Sequence, residues 1–374
     1  MISYSLKIFP VLFLLFVLDV SAQIPLQQNP EAVKAIKITL DYIYNFEFGK
    51  AIERMKNQHG LGVHPANSVI NAVLIYWRDS PLIPGSEIYQ QYEKYLNEAI
   101  DLSQPFLEQE ELYGEGAFYS LAGYGLLTEL YAEEGAGLRV VNVAKKAYKY
   151  LKIGKEEMGR IPDFYFSTGL YNYYREKYPE LKPFYKSFMW LFERGDKTLG
   201  LKQLKMCEAQ GVFARNEAII YLYHLYLRYE NSPVQAYPYA VKLTENFPRN
   251  MRFISLLTEV LVAMNELDQA DKLCSRLIRN ERLVFQLSGT LFKAIIREKK
   301  GQLVEASRLL DRSLELHEAL RKPDFHYLSM IYATQARVAD KNNDMDLAED
   351  LYKKALKSNP YVPVQAEAME YLNK

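Results

Sequence analysis

Two cysteines and five histidines are all that 374 residues hold of those types, which excludes a disulfide-stapled scaffold and leaves few ligands for a metal centre. Cys207 and Cys274 are expected inside helices of units two apart. A bridge would need their Cα atoms within about 7 Å, so they read as small buried apolar residues, with a disulfide in an oxidising compartment as the alternative. His59 and His64 flank Gly60-Leu61-Gly62-Val63 with no third ligand nearby. His317-Glu318 lacks the second histidine that a helical zinc-protease motif needs. His224 reads as packed between helices with one nitrogen satisfied. Net charge is missing too: 46 basic and 46 acidic side chains cancel, which removes any general attraction to nucleic acid or an anionic membrane.

The familiar catalytic motifs are absent as well. Gly49-Lys50 and Gly154-Lys155 have neither the upstream glycine nor the following Ser or Thr of a phosphate loop. Gly114-Glu115-Gly116, Gly123-Tyr124-Gly125 and Gly135-Ala136-Gly137 do not join a strand to a helix, as a dinucleotide fingerprint would. No Gly-x-Ser-x-Gly elbow occurs. The acidic runs Glu108 to Glu111, Glu133-Glu134 and Glu156-Glu157 read as solvated helix faces, because acid–base work would require burial. No alternating β-branched run is bounded by hairpin turns, so a sheet is not expected. With no nucleophile–base pair, metal cluster or oxyanion site to assemble, no cofactor is implied and the chain is expected not to be an enzyme.

What is present begins with an export signal. Lys7 supplies a positive start, Ile8 to Leu18 is apolar apart from Pro10, and Val20-Ser21-Ala22 has the small residues of a cleavage site. Residues 1–22 are therefore expected to be a Sec-type signal peptide, with a periplasmic mature protein beginning at Gln23. The alternative is an uncleaved anchor, although the run is shorter than the about 20 apolar residues of a spanning helix. Without residues 1–22 the mature chain keeps 45 charges of each sign. Its hydrophobic content of 49% against 25% charged residues is that of a folded chain.

The mature region repeats itself. Small residues early in a helix recur at Ala51, Gly200, Ala236, Ala270, Ala306 and Ala348, the last five separated by 36, 34, 36 and 42 residues. One helical turn after each stands Met55, Leu204, Ala240, Cys274, Leu310 or Tyr352, on the same face. A second amphipathic stretch precedes each anchor. Turn residues separate the two: Gly195-Asp196, Asn231-Ser232-Pro233, Asn265, Gly301 and Asn342-Asn343-Asp344. Asn29-Pro30-Glu31, Ser86-Glu87 and Ser232-Pro233 carry helix-start chemistry.

This pattern resembles the tetratricopeptide repeat. The last unit carries it best, with Tyr332, Ala336, Ala339, Ala348, Tyr352, Ala355 and Pro360; the unit with Ala236, Ala240, Leu243 and Pro248 is also close. The likeness covers roughly residues 30–64 and 180–362. It implies an all-α fold, a right-handed α–α superhelix of antiparallel helix pairs, in which small residues let paired helices approach and proline ends the second helix. Phe188 and His224 stand where the family has a small residue, and Arg282 and Glu318 where it has the proline, so those units are expected to be shifted. The stretch Gly169 to Tyr174, with Gly195-Asp196-Lys197 and Gly200-Leu201, is similar to exported bacterial repeat proteins.

Residues 65–180 are less regular but helical: helices are expected over 66–78, 87–102, 116–133, 138–153 and 164–174, the last stopped near Pro179. No linker divides the chain, so 23–374 is expected to be one continuous array, with irregular units over 65–180, regular ones over 181–362 and a capping helix over 363–374. Tyrosine is abundant, 30 against 18 phenylalanines. Its ring packs like phenylalanine and its hydroxyl seeks a partner. Those rings serve either helix contacts or a lined groove. If first helices form the concave face, Tyr185, Met189, Tyr221, Arg228, Arg252 and Glu259 line it, joined by Tyr171 and Tyr174. Rings with two arginines suit an extended peptide, an arginine pairing with a carboxylate. The resemblance implies protein–protein binding in general. The function expected is therefore a scaffold binding a protein or peptide partner, or alternatively a glycan or small molecule, without nucleic acid or membrane insertion. The first part of this reading is checked by intact mass of the protein recovered from the periplasm: a chain beginning at Gln23 is expected, and one retaining Met1 would make the segment an anchor.

Overall fold

The computed structural model describes residues 25–56, 60–181, 193–358 and 360–373. Among them are seventeen α-helices and no strand. They run α1 (Pro30–Tyr44), α2 (Phe48–Met55), α3 (Pro65–Asp79), α4 (Glu87–Ser103), α5 (Tyr113–Glu134), α6 (Gly137–Glu157), α7 (Phe164–Leu181), α8 (Lys197–Gln210) and α9 (Arg215–His224). They continue with α10 (Pro233–Asn246), α11 (Met251–Ala263), α12 (Leu267–Ile278), α13 (Leu283–Lys299), α14 (Leu303–Glu318), α15 (Phe325–Lys341), α16 (Met345–Lys357) and α17 (Val362–Leu372). Each packs on its neighbours in chain order, as adjacent pairs. None of the described helices is long and apolar enough to cross a membrane. The expected signal segment lies outside the described residues.

One turn closes five of these pairs. A residue in the left-handed region follows the first helix at Phe46, Gly135, Asn265, Gly301 and Asn343, with φ of 59°, 78°, 63°, 75° and 63°. The next N–H then reaches back five residues: Glu47 to Tyr42, Ala136 to Tyr131, Glu266 to Leu261, Gln302 to Arg297 and Asp344 to Ala339, at 2.8 to 3.0 Å. This satisfies carbonyls left open at the helix end. Glycine and asparagine adopt that conformation readily. Phe46 does so as a bulky residue, held by rings of Phe48 and Trp77 at 5.4 and 6.4 Å.

The starts of helices are capped as their residues dictate. Asn29 accepts from the Ala32 N–H, Ser86 from Tyr89, Asp196 from Leu199 and Asp344 from Leu347. Ser232 departs from expectation: its side chain makes no cap bond. Helix α7 also departs, running two residues past Pro179.

The small anchors sit at the closest approaches. Ala51, Ala236, Ala270, Ala306 and Ala348 are all fully buried near the starts of α2, α10, α12, α14 and α16. At Gly200 on α8 the fit is tightest. A Cβ there would lie 2.7 Å from the Gly169 carbonyl oxygen and 2.7 Å from the Tyr173 nitrogen, both backbone atoms of α7. Cys207 and Cys274 are buried free thiols, and burial pushes the Cys274 thiol up to about 12.

The chain also folds back on itself. Tyr44 and Trp77, at the ends of α1 and α3, reach residues around α9 to α11. The Tyr44 ring lies 5.7 Å from Phe247 and Trp77 lies 5.6 Å from Phe253. Asn250 Nδ2 donates to the Tyr44 carbonyl at 2.7 Å. One continuous apolar cluster consequently runs from Leu26 to Val260.

Replacing Gly200 by alanine forces α7 and α8 apart, since backbone cannot rotate away, and overpacking of this kind costs about 1–3 kcal/mol. The expected result is a Tm lowered by several degrees, while Gly49→Ala, in open space on α2, is neutral or stabilising. Equal Tm values for the two variants would contradict the close-approach account.

Candidate functional site

A cavity of about 1880 Å³ opens where the early helices meet the later ones. Most of its described lining comes from odd-numbered helices: α1, α3, α5, α7, α9, α11 and the starts of α13 and α15. Rings dominate the wall, among them Tyr76, Trp77, Phe166, Tyr171, Tyr174 and Tyr221. Charges of both signs break it, with Glu129, Glu133 and Glu217 against Arg228, Arg252, Arg282 and Lys322.

A departure from regular helix shapes one side. Directly after His224 the backbone widens into a π-helical turn, Leu225–Tyr229, a device that re-aims side chains. The Glu230 N–H reaches the Leu225 carbonyl at 2.9 Å. Arg228 and Tyr229 thereby face the cavity. Tyr361, before α17, closes over them, its ring 5.4 Å from Tyr229 and 5.0 Å from His326.

Arg228 is not available to a ligand carboxylate. Its Nη2 donates to Glu259 Oε2 at 2.8 Å, and His326 Nε2 lies 2.9 Å from Glu259 Oε1. The Tyr223 hydroxyl donates to the same carboxylate at 3.2 Å. Burial alone would raise the Glu259 carboxyl, but the charges of Arg228 and His326 outweigh it and hold it well below the usual carboxylate range. His224 is pushed well below its ordinary value, by burial first and by Arg228 next. It stays neutral, and its Nδ1 has no hydrogen-bond partner.

Arg252 is in a different situation. Its guanidinium carbon lies 4.8 Å from the Trp77 ring centroid and 5.8 Å from that of Tyr76, a cation–π arrangement. Arg282 Nη2 donates to the Ser80 carbonyl at 2.7 Å. Its pKa is lowered by burial and then by the like charge of Arg252, so the two guanidiniums lie within each other's field.

Opposite them stand carboxylates in unequal states. Glu133 pairs with Lys322 at 2.6 Å, and Glu217 accepts from the Tyr44 hydroxyl at 2.7 Å. Burial raises Glu217, partly offset by Tyr44, Arg252 and Trp77. Glu129 is pushed up to about 7 by burial, by Glu217 and by Glu133. Its side chain is exposed to the open space of the cavity.

Of the residues expected from sequence to line a groove, Tyr171, Tyr174, Tyr221, Arg228 and Arg252 are brought together at this cavity. Glu259 lies buried behind its wall, with 6% exposure. Tyr185 and Met189, like Phe188, lie outside the described residues. His59 does too, while His64 is turned inward, its Nδ1 accepting from the Ala66 N–H and its Nε2 3.4 Å from Glu115. Among the described residues no three His, Cys, Asp or Glu are placed to hold a metal ion. Sequence reasoning missed Glu129, Glu217 and Arg282. Only Arg282 gave a signal, by standing where the pattern expected from sequence has proline. No protein-family model matches the chain, and no curated protein is similar to it.

A group raised from its ordinary 4.5 to about 7 favours the folded state while protonated, and that advantage is lost as pH rises through the higher value. Glu129→Gln is therefore expected to leave Tm nearly unchanged at pH 5 and to raise it at pH 8, the gap opening between the two values. A gap that is the same at both pH values would show that Glu129 is an ordinary solvated carboxylate.

Proposed function

We propose that this chain is an exported, non-catalytic binding protein, a tetratricopeptide-like α-solenoid that takes a peptide or an extended segment of a protein partner into its cavity. The observation that carries the reading is the cavity itself: about 1880 Å³, well above the roughly 300–1,000 Å³ of small-molecule sites. That volume suits an oligomeric ligand. A wall of rings interrupted by charges of both signs matches a peptide, which carries apolar and charged side chains together and termini of opposite charge. The buried anchors and the turn repeated at five helix pairs support the solenoid part of the reading. The apolar run before Gln23 supports export, and the periplasm is the compartment it implies.

A second reading has one observation in its favour. Tyr76 and Tyr221 on the wall offer ring surfaces on which the faces of sugars stack, so an oligosaccharide is the alternative ligand.

Benzoylphenylalanine placed at Tyr221 tests the proposal in the exporting cell, with the same residue at Val304, 89% exposed on α14, as control. Irradiation is expected to give a discrete adduct from position 221 and none from 304, and mass spectrometry distinguishes peptide from glycan. Identical adduct patterns from both positions would remove the cavity as the binding site.

A further inference from the structure

We propose that Arg252 and Arg282 form a carboxylate-recognition site at the Trp77 end of the cavity, so that the peptide bound there is held by an acidic terminus or side chain. This rests on the peptide reading above and deepens it.

The two guanidiniums arrive from separate helices. Arg252 lies in the first turn of α11 and Arg282 is the residue preceding α13. Among the described residues neither has a carboxylate within ion-pair distance, whereas Arg228 has Glu259 at 2.8 Å and Arg337 has Glu367 at 2.8 Å. The nearby acids are engaged elsewhere. Asp79 is gripped by the Arg78 fork at 2.7 to 3.0 Å, and Glu217 takes the Tyr44 hydroxyl. Two partly enclosed positive charges facing one cavity repel each other, and an anion between them would relieve that repulsion.

Both groups are also held ready. The faces of Trp77 and Tyr76 support Arg252, and the Ser80 carbonyl fixes Arg282. A planar fork already oriented loses little freedom when it takes a carboxylate in two parallel hydrogen bonds. The positive ends of two helices, 13 and 17 residues long, add to the same field.

The rest of the cavity suits a ligand of mixed charge. Glu129 and Glu217 have no cation within ion-pair distance among the described residues and line the same cavity, so they offer acceptors to a ligand that also carries an amine. A peptide with a free carboxylate has both charges. Arg228, the other cavity arginine expected to pair with a ligand, is already neutralised by Glu259.

The test uses the full mature chain and a random-sequence hexapeptide pool in three forms: unmodified, amidated at the C-terminus, and amidated at every carboxylate. Wild type is expected to bind the unmodified pool about tenfold or more tightly than the fully amidated one. Arg252→Gln, at a side chain that donates to no described protein carboxylate, is expected to abolish that difference, and Arg282→Lys to weaken it by keeping charge without the fork. The singly amidated pool tells a terminal carboxylate from a side-chain one. Equal affinity of wild type for the unmodified and fully amidated pools overturns the inference while the peptide reading survives, and the wild-type comparison stands even if a variant fails to fold. Binding of no pool sinks the peptide reading. Citrate then decides the site: a thermal shift lost in Arg252→Gln upholds it, and no shift in wild type removes it.

Discussion

A tyrosine ring buried between helices with its hydroxyl on a carboxylate is the interaction on which this structure most depends. Tyr89 reaches Glu134 at 2.9 Å, Tyr173 reaches Glu230 at 2.5 Å, and Tyr352 reaches Glu367 at 2.9 Å, each across a helix boundary. Tyr44, 1% exposed, reaches Glu217 across 173 positions of sequence. A hydrogen bond to a charged group contributes about 1.5–3 kcal/mol, and a buried hydroxyl without one costs a similar amount. The ring supplies apolar burial, and the hydroxyl fixes which carboxylate it meets. A chain of thin helix pairs gains specific registration that phenylalanine would not give.

The same interaction decides the charge of the cavity. Where a tyrosine and a cation share a carboxylate, as Tyr223 and Arg228 do at Glu259, the group is neutralised and becomes part of the wall. Glu217 receives only neutral donors and stays raised by burial. Glu129 has no cation within ion-pair distance among the described residues and is raised to about 7. Both groups line the cavity.

Departures from the repeat pattern expected from sequence cluster there as well. His224 stands where a small residue would let helices approach, and the backbone widens directly after it. Arg282 stands where the expected pattern has proline, and its guanidinium reaches back to Ser80. Phe46 takes a turn conformation that its neighbours give to glycine or asparagine, and its ring packs near Trp77. Each is a place where regular packing gives way to contacts between distant parts of the chain.

Helix pairs, their small buried anchors and the asparagine and glycine turns were legible in the sequence, because each depends on residues within one turn or one hairpin of each other. Ring-rich odd helices and Arg252 were legible for the same reason, since periodicity assigns a residue to a helix face. The state of each charge was not. Arg228 and Glu259 are 31 positions apart, in neighbouring units whose relative rotation sets whether they meet. The partnership of α3 with α11 and α13, which places Trp77 beneath Arg252 and Ser80 beside Arg282, joins residues about 175 to 200 positions apart, beyond the reach of any local pattern. Sequence therefore determined the helix pairs, whose packing is local, and tertiary structure alone decided which charges are quenched and which face the cavity, because that follows from contacts between helices far apart in the chain.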